Sequence, residues 1–533
     1  MLNRPSFFNS IHFAYTILIV LICVTYIPLI LYGGFGTSDD ISLLVNTPNS
    51  YIEALKQSLL RSGHSSRPIY AFVQITSLFV FKDHHFWYTI YRLFLWLIIA
   101  FMLIRIFEFQ LKGISKLFFL FFISFPIFIS AHFFNAFQTG YLWSILFWLF
   151  SMFFIEGTYK PTGLKSLKTS AFFLIMALLS CEIVFPLFLL NFLFPLSEKG
   201  FKWHLKSKST LFKSHFCMVF FVLLFFSVFK IFIAPLYQIE TGIYGFNLSY
   251  NSLLQSLYYF FCLFIEIPLL LIEVIPFYNY MPLILVTFIV FLALMFLKKR
   301  REEELFFPNT KNTTSYFLIT LCFCALVFLF SNYPAVTYGN YNKMLLPPFI
   351  LICLLLSNFC SFVFKTRFWL LIPCVLSLWI SSMMIQVQNV CESWDKRNFV
   401  SQNIVEKLKP HNEKEPTLVL CDVPYYLKNN YNDEHVFWTT WDFDAFLKIK
   451  GAPKNNKYLP YNYNTLVNSS IDSVNNINNV MENHPKTPFL NVESSVSFQK
   501  SFKIFKNRNS FPKTNMYTPC FRKRLRDKLK SYF

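Results

Sequence analysis

Five short stretches of this chain set chemically useful side chains beside long apolar runs. The first is Ser38-Asp39-Asp40, which follows Gly33, Gly34 and Gly36, residues that let the backbone turn sharply. Adjacent carboxylates repel, and one of such a pair is suited to accept a proton as a general base. The same residues also fit a helix cap, with Ser38 or Asp40 ahead of a helix starting near Ile41. The second stretch runs from Arg61 through His64 to Arg67-Pro68. Pro68 suits the first turn of a helix. Arg67 would then sit at headgroup level, where it can grip a phosphate with two hydrogen bonds or simply snorkel to water.

The third is Arg92, a cation inside an apolar segment that needs an acidic partner; Asp39, Asp40 and Asp83 are candidates. The fourth is Cys181-Glu182, a carboxylate at a tight apolar turn ahead of Pro186, or else an ordinary water-exposed turn residue. The fifth is Tyr338-Gly-Asn-Tyr-Asn-Lys343, where Lys343 is the single cation of a loop entering an apolar run. It could neutralise a phosphate as a point charge or merely anchor the rim. Phosphate-binding loops, dinucleotide fingerprints, zinc-protease motifs and nucleophile elbows are all missing. No cofactor is expected. A divalent metal remains chemically possible without a ligand motif to support it.

The elements that must position these residues are membrane helices. The chain is 55% hydrophobic and 14% charged, against roughly 25% charged in soluble domains. Apolar runs predict about eleven spans, near 12–32, 87–108, 116–132, 138–155, 168–181, 182–197, 215–234, 281–297, 315–332, 344–363 and 368–386. The first run is too long for a signal-peptide core and is read as an uncleaved span. The net charge of +20 comes largely from basic loops between spans. The pattern favours a topological bias over nucleic-acid binding, and no nucleic-acid partner is expected. The basic loops around Lys112, Lys165, Lys206, Lys299 and Lys365 all become cytoplasmic if 68–82 and 252–276 do not cross. The short 68–82 would dip into the interface, and 252–276 carries Glu266 and Glu273, two lone carboxylates that would be costly in a span. The N-terminus is then cytoplasmic, and all five polar stretches share the outer side.

The expected fold is mainly α: a polytopic helical bundle over 1–386, with a long first outer loop at 33–86 and a small extracytoplasmic α/β domain over 387–533. In that domain Asn398–Leu408 suits a helix, Thr417–Asp422 a buried strand and Phe437–Lys450 a helix, with irregular chain after about 465. Cys391, Cys421 and Cys520 allow one bridge there, with one thiol left over.

The order of these motifs resembles the polytopic GT-C glycosyltransferases. In that superfamily an acidic residue, often in a pair, lies in the loop after the first span, as Asp39-Asp40 does here. Ser66-Arg67-Pro68 resembles its Gly-Arg-Pro sequence before an interfacial helix, with Ser for Gly. Arg92 is similar to an arginine of its second span. Cys181-Glu182 stands where a Lys-Glu pair ends the fifth span, and lacks the Lys. Asn342-Lys343-Met344-Leu345-Leu346-Pro347 is similar to a late Arg-Tyr-x-x-Pro loop, with Lys for Arg.

The resemblance implies an inverting glycosyltransferase of a bacterial inner membrane. It would move a hexose from a polyprenyl-phosphate to an O-antigen-like envelope glycan or glycolipid acceptor among membrane lipids. Asp39, Asp40 and Glu182 would be the catalytic acids. Arg61, His64, Arg67, Arg92 and Lys343 would bind substrate. The competing readings are a lipid-linked glycan polymerase or ligase, a transporter or flippase, and a non-catalytic scaffold presenting the tail domain. The first favours arginines in late outer loops; the second needs polar residues at mid-membrane, where this chain is almost wholly Phe, Leu and Ile.

Overall fold

The computed structural model describes residues 7–32, 43–45, 47–60, 67–108, 111, 113–129, 139–158, 163–199, 209–233, 249–273, 280–299, 311–329, 333–337, 340–408, 418–422, 440–454, 456–460, 489–493 and 521–530. The described chain is mainly helical. Among the described residues, five helices are long and apolar enough to cross a membrane: Ala14–Leu31, His85–Ile106, Tyr250–Glu273, Asn342–Phe364 and Arg367–Val387. The other expected spans are shorter apolar helices, among them Ile114–Ser124, Gly140–Ile155, Ser166–Ser180 and Glu182–Leu193. Pro68–Phe81 has 14 residues, about 21 Å of helix against a hydrocarbon core of about 30 Å.

The expected span 116–132 breaks at Ser124, because Pro126 has no N–H to continue the ladder and disfavours helix at Phe125. Residues 125–129 are nonetheless buried. Irregular backbone survives in such surroundings only if other groups satisfy it. Four side chains from other helices meet carbonyls of the helix end and of the segment after it. Trp96 Nε1 donates to the Ile123 carbonyl (2.8 Å), the Tyr26 hydroxyl to Ser124 (2.7 Å), Trp379 Nε1 to Phe125 (2.7 Å) and Gln386 Nε2 to Ile127 (2.6 Å). The helix end thereby pins the first, second and last long helices together. A second buried polar chain ties Gly140–Thr158, Gly163–Ser180 and Phe188–Lys199. Trp148 donates to Asn191, Asn191 to Ser151, and Ser151 pairs with Ser170. Such hydrogen bonds join helices where lipid supplies no hydrophobic drive between them.

The last long helix runs unbroken from Leu371 to Leu408, 38 residues or about 57 Å. It passes through 386, where the sequence divides membrane from tail. Beyond that point it still packs on the bundle: the Cys391 thiol donates to the Pro28 carbonyl (3.5 Å), and Trp394 meets the His85 ring edge-on. Cys391 is a free, buried thiol, so it does not form the tail bridge that the cysteine count allows.

The tail carries a three-stranded parallel sheet of order β2-β1-β3, with β1 Leu418–Asp422, β2 Lys457–Pro460 and β3 Phe489–Glu493. The unbroken apolar run of β1 suits a central strand with both edges paired. The third strand comes from beyond 465, where irregular chain is expected. Thr440–Ile449 packs on β2, and Asp444 accepts both the Tyr458 N–H (2.8 Å) and Lys448 (2.7 Å).

Candidate functional site

Arg67 and Glu182 meet. Arg67 caps the entry to Pro68–Phe81, with Pro68 at the first helical turn as expected. Cys181 is extended, and Glu182 opens a 3-10 helix, Glu182–Leu187, that packs against Gly140–Thr158, Gly163–Ser180 and Leu346–Phe364. The Arg67 guanidinium grips the carboxylate with two hydrogen bonds, Nε to Oε2 (2.8 Å) and Nη2 to Oε1. Nη2 also donates to the Tyr333 hydroxyl (3.0 Å). Arg67 is buried, while the Glu182 side chain keeps 21% of its surface. Burial alone disfavours the guanidinium charge; Glu182 and Tyr333 more than offset this and hold Arg67 well above its ordinary pKa. The expected grip on a phosphate is therefore already in use, on a carboxylate.

Lys343 lies on the 3-10 helix Asn340–Leu345, buried, with Nζ 5.4 Å from the Tyr141 ring centroid. Tyr141 packs edge-on against Tyr70, one turn after Arg67 (ring centroids 5.6 Å apart). Through these two tyrosines the lysine reaches the first turn of the helix that Arg67 enters. Gly140 makes this possible: a Cβ there would stand 2.1 Å from the Tyr70 ring.

Arg92 is buried and donates to two groups of its own helix, the Tyr88 carbonyl (3.3 Å) and the Thr89 hydroxyl (3.4 Å). Asp83, one of its expected partners, is exposed beside His84 (3.8 Å). Asp39, Asp40, Arg61 and His64 lie outside the described residues. Among the described residues, no three His, Cys, Asp or Glu side chains gather as a metal site would require.

A second charged cluster escapes the sequence reading. Glu266 and Glu273, taken above as lone carboxylates, are each paired with an arginine of the C-terminal helix Phe521–Lys530. Arg526 Nε donates to Glu266 Oε1 (2.8 Å), and Arg522 Nε to Glu273 Oε2 (2.7 Å). The cost that argues against 252–276 crossing is therefore met by pairing, and Tyr250–Glu273 is long and apolar enough to cross. Nor is Lys343 the lone cation of its rim, since both arginines reach the neighbouring segment 333–337: Arg522 Nη1 donates to the Thr337 carbonyl (2.9 Å), and Arg526 Nη1 to that of Ala335. The sequence does hold a signal: two acids seven residues apart in an apolar segment, and two arginines one helical turn apart in the last basic run.

Neither a family model, nor a curated protein, nor a solved structure matches this chain.

Proposed function

We propose that this chain is an inverting membrane hexosyltransferase. It takes its sugar from a polyprenyl-phosphate donor and delivers it to an envelope glycan or lipid-linked acceptor, on the extracytoplasmic face of a bacterial inner membrane. The proposed architecture is GT-C-like, with about eleven spans, with Tyr250–Glu273 kept on the outer side by its pairing with Arg522 and Arg526, and with the tail sheet forming an extracytoplasmic α/β domain.

The observation that carries this reading is the Arg67–Glu182 pair. Two motifs 115 residues apart in sequence meet at one point, with Tyr333 on the same guanidinium. Lys343 reaches the same helix entry through Tyr141 and Tyr70. An aromatic-lined pair of cations suits a lipid phosphate flanked by a sugar ring.

In the proposed reaction the acceptor hydroxyl oxygen attacks the anomeric carbon and inverts it. The bond from that carbon to the phosphate oxygen breaks, and its electrons leave with the polyprenyl phosphate. The acceptor proton passes to Asp39 or Asp40. The departing phosphate is a weak base and needs positive charge rather than a proton; Lys343 supplies it directly, and Arg67, whose two-pronged grip is held by Glu182, adds its charge from beside that pair. Glu182 acts here as a positioning residue, holding Arg67 in one orientation.

The test is transfer from a labelled polyprenyl-phosphate glucose in membranes carrying the protein. Loss of transfer in Asp39→Asn or Asp40→Asn supports the assignment. Undiminished turnover in both variants, at normal protein levels, overturns it.

A further inference from the structure

The segment 333–337 joins the two charged clusters. It is irregular, and Tyr333, Ala335, Val336 and Thr337 are all buried. Its backbone groups need partners that its own conformation cannot supply. Gln255 accepts the Ala335 N–H (3.2 Å), and Glu266 accepts the Thr337 N–H (3.2 Å) and hydroxyl (2.7 Å). The carbonyls go to the C-terminal helix: Ala335 accepts from Arg526, and Thr337 from Arg522. At the other end of the same five residues, the Tyr333 hydroxyl holds Arg67.

The C-terminal helix is fitted to this place. The guanidinium of Arg526 touches three groups at once, Glu266, the Ala335 carbonyl and the Cys262 sulfur (2.9 Å), and lies 4.9 Å from the Tyr258 ring centroid. Glu273 accepts both the Arg522 side chain and its backbone N–H (3.0 Å), capping the first turn of the helix with negative charge. A five-residue π-turn, Cys262–Glu266, interrupts the opposing helix at this contact.

We propose that the C-terminal helix Phe521–Lys530 is a latch that positions the candidate site: through Arg522 and Arg526 it clamps 333–337, and through Tyr333 it sets the orientation of Arg67. Arg522, Arg526, Glu266 and Glu273 are then positioning residues. The latch stands on contacts alone; its consequence for sugar transfer rests on the function proposed above.

Cys262 supplies a native reporter, because Arg526 covers its sulfur. The full chain in detergent is treated with N-ethylmaleimide, and labelling of each cysteine is read by peptide mass spectrometry. Backbone hydrogen exchange is followed in parallel over 333–337 and 67–71. The variants are Arg526→Lys, which keeps the charge without the three-way grip, and a chain ending at residue 520. Labelling of Cys262 should rise about tenfold or more, with faster exchange in both segments, as local opening exposes them. Cys391, buried elsewhere, should stay unlabelled, which separates release of the latch from unfolding. If the truncated chain does not fold, Arg526→Lys decides alone.

In the transfer assay Arg526→Lys should lower kcat about tenfold and leave KM within about twofold, since the arginine acts only through Arg67. Cys262 and 67–71 protected as in wild type, in a folded variant, would overturn the latch even if transfer is active. A wild-type chain inactive in transfer would overturn the enzymatic assignment, while labelling and exchange still judge the latch.

Discussion

The two charged clusters of this protein use the same chemistry and differ in closure. At Arg67–Glu182 the arginine is buried, but a fifth of the carboxylate side chain remains accessible. At Arg526–Glu266 both side chains are fully buried, and the carboxylate collects the guanidinium, a backbone N–H, a hydroxyl and a thiol. Removing ions from water costs several kcal/mol each, and an ion pair recovers that only when its remaining hydrogen-bonding capacity is also filled. The second cluster meets that condition and is built to hold. The first leaves one face of its acid for something else to meet, which is where the proposed substrate recognition has room to work.

That contrast can be broken most directly at the closed cluster. Arg526→Ala leaves Glu266 buried without its counter-charge, and a loss of about 3–5 kcal/mol is expected in detergent unfolding. A loss under about 1 kcal/mol would mean that water reaches this pair. At the open cluster the larger effect should fall on activity. Arg67→Lys keeps the charge but not the two-pronged grip, and transfer should drop about 100-fold, with a smaller loss of stability. Equal damage to stability at both clusters would erase the distinction.

Gly140→Ala sharpens the comparison from the side, because it drives a methyl group into the Tyr70 ring between Arg67 and Lys343. About 1–3 kcal/mol of stability should go, with transfer impaired and Cys262 still protected. Tyr70→Leu in the same chain should restore part of the stability. Asn191→Ala removes the partner of Trp148 on the helix that follows Glu182–Leu187, and about 1 kcal/mol is expected in the same unfolding assay, with transfer unchanged. The smallest effect belongs to Arg105→Ala. Its partner Glu108 is exposed, and such surface pairs contribute less than about 1 kcal/mol; an unfolding midpoint indistinguishable from wild type is the expected result.

Local physics made much of this legible without coordinates. Apolar runs marked most of the helices because burial in lipid demands them. Pro68 announced a helix start, and Leu418–Asp422 announced a strand, each through constraints acting within a few residues. The break at Ser124 is legible in Pro126 too, but only against composition, which keeps 116–132 apolar throughout. The last helix outruns its apolar run at 386 for the opposite reason: its polar second half has the composition of tail, although Cys391 and Trp394 dock it to the bundle.

Arg67 and Glu182 could be singled out because a charged residue beside an apolar run is conspicuous by itself. That they serve each other, rather than each awaiting a ligand, could not be read from spacing. The same limit hid the second cluster. Glu266 and Glu273 appear as two expensive acids, and Arg522 and Arg526 as part of a basic end, until the chain folds across some 260 residues to join them. By itself the sequence determined the helical, membrane-suited character of the chain and the residues where charge must be accounted for, since both follow from local solvation. Only the tertiary structure decided which charges neutralise which, and which irregular backbone they hold. Pairing energy depends on distance in space, and residues far apart in the chain carry no record of it in their spacing.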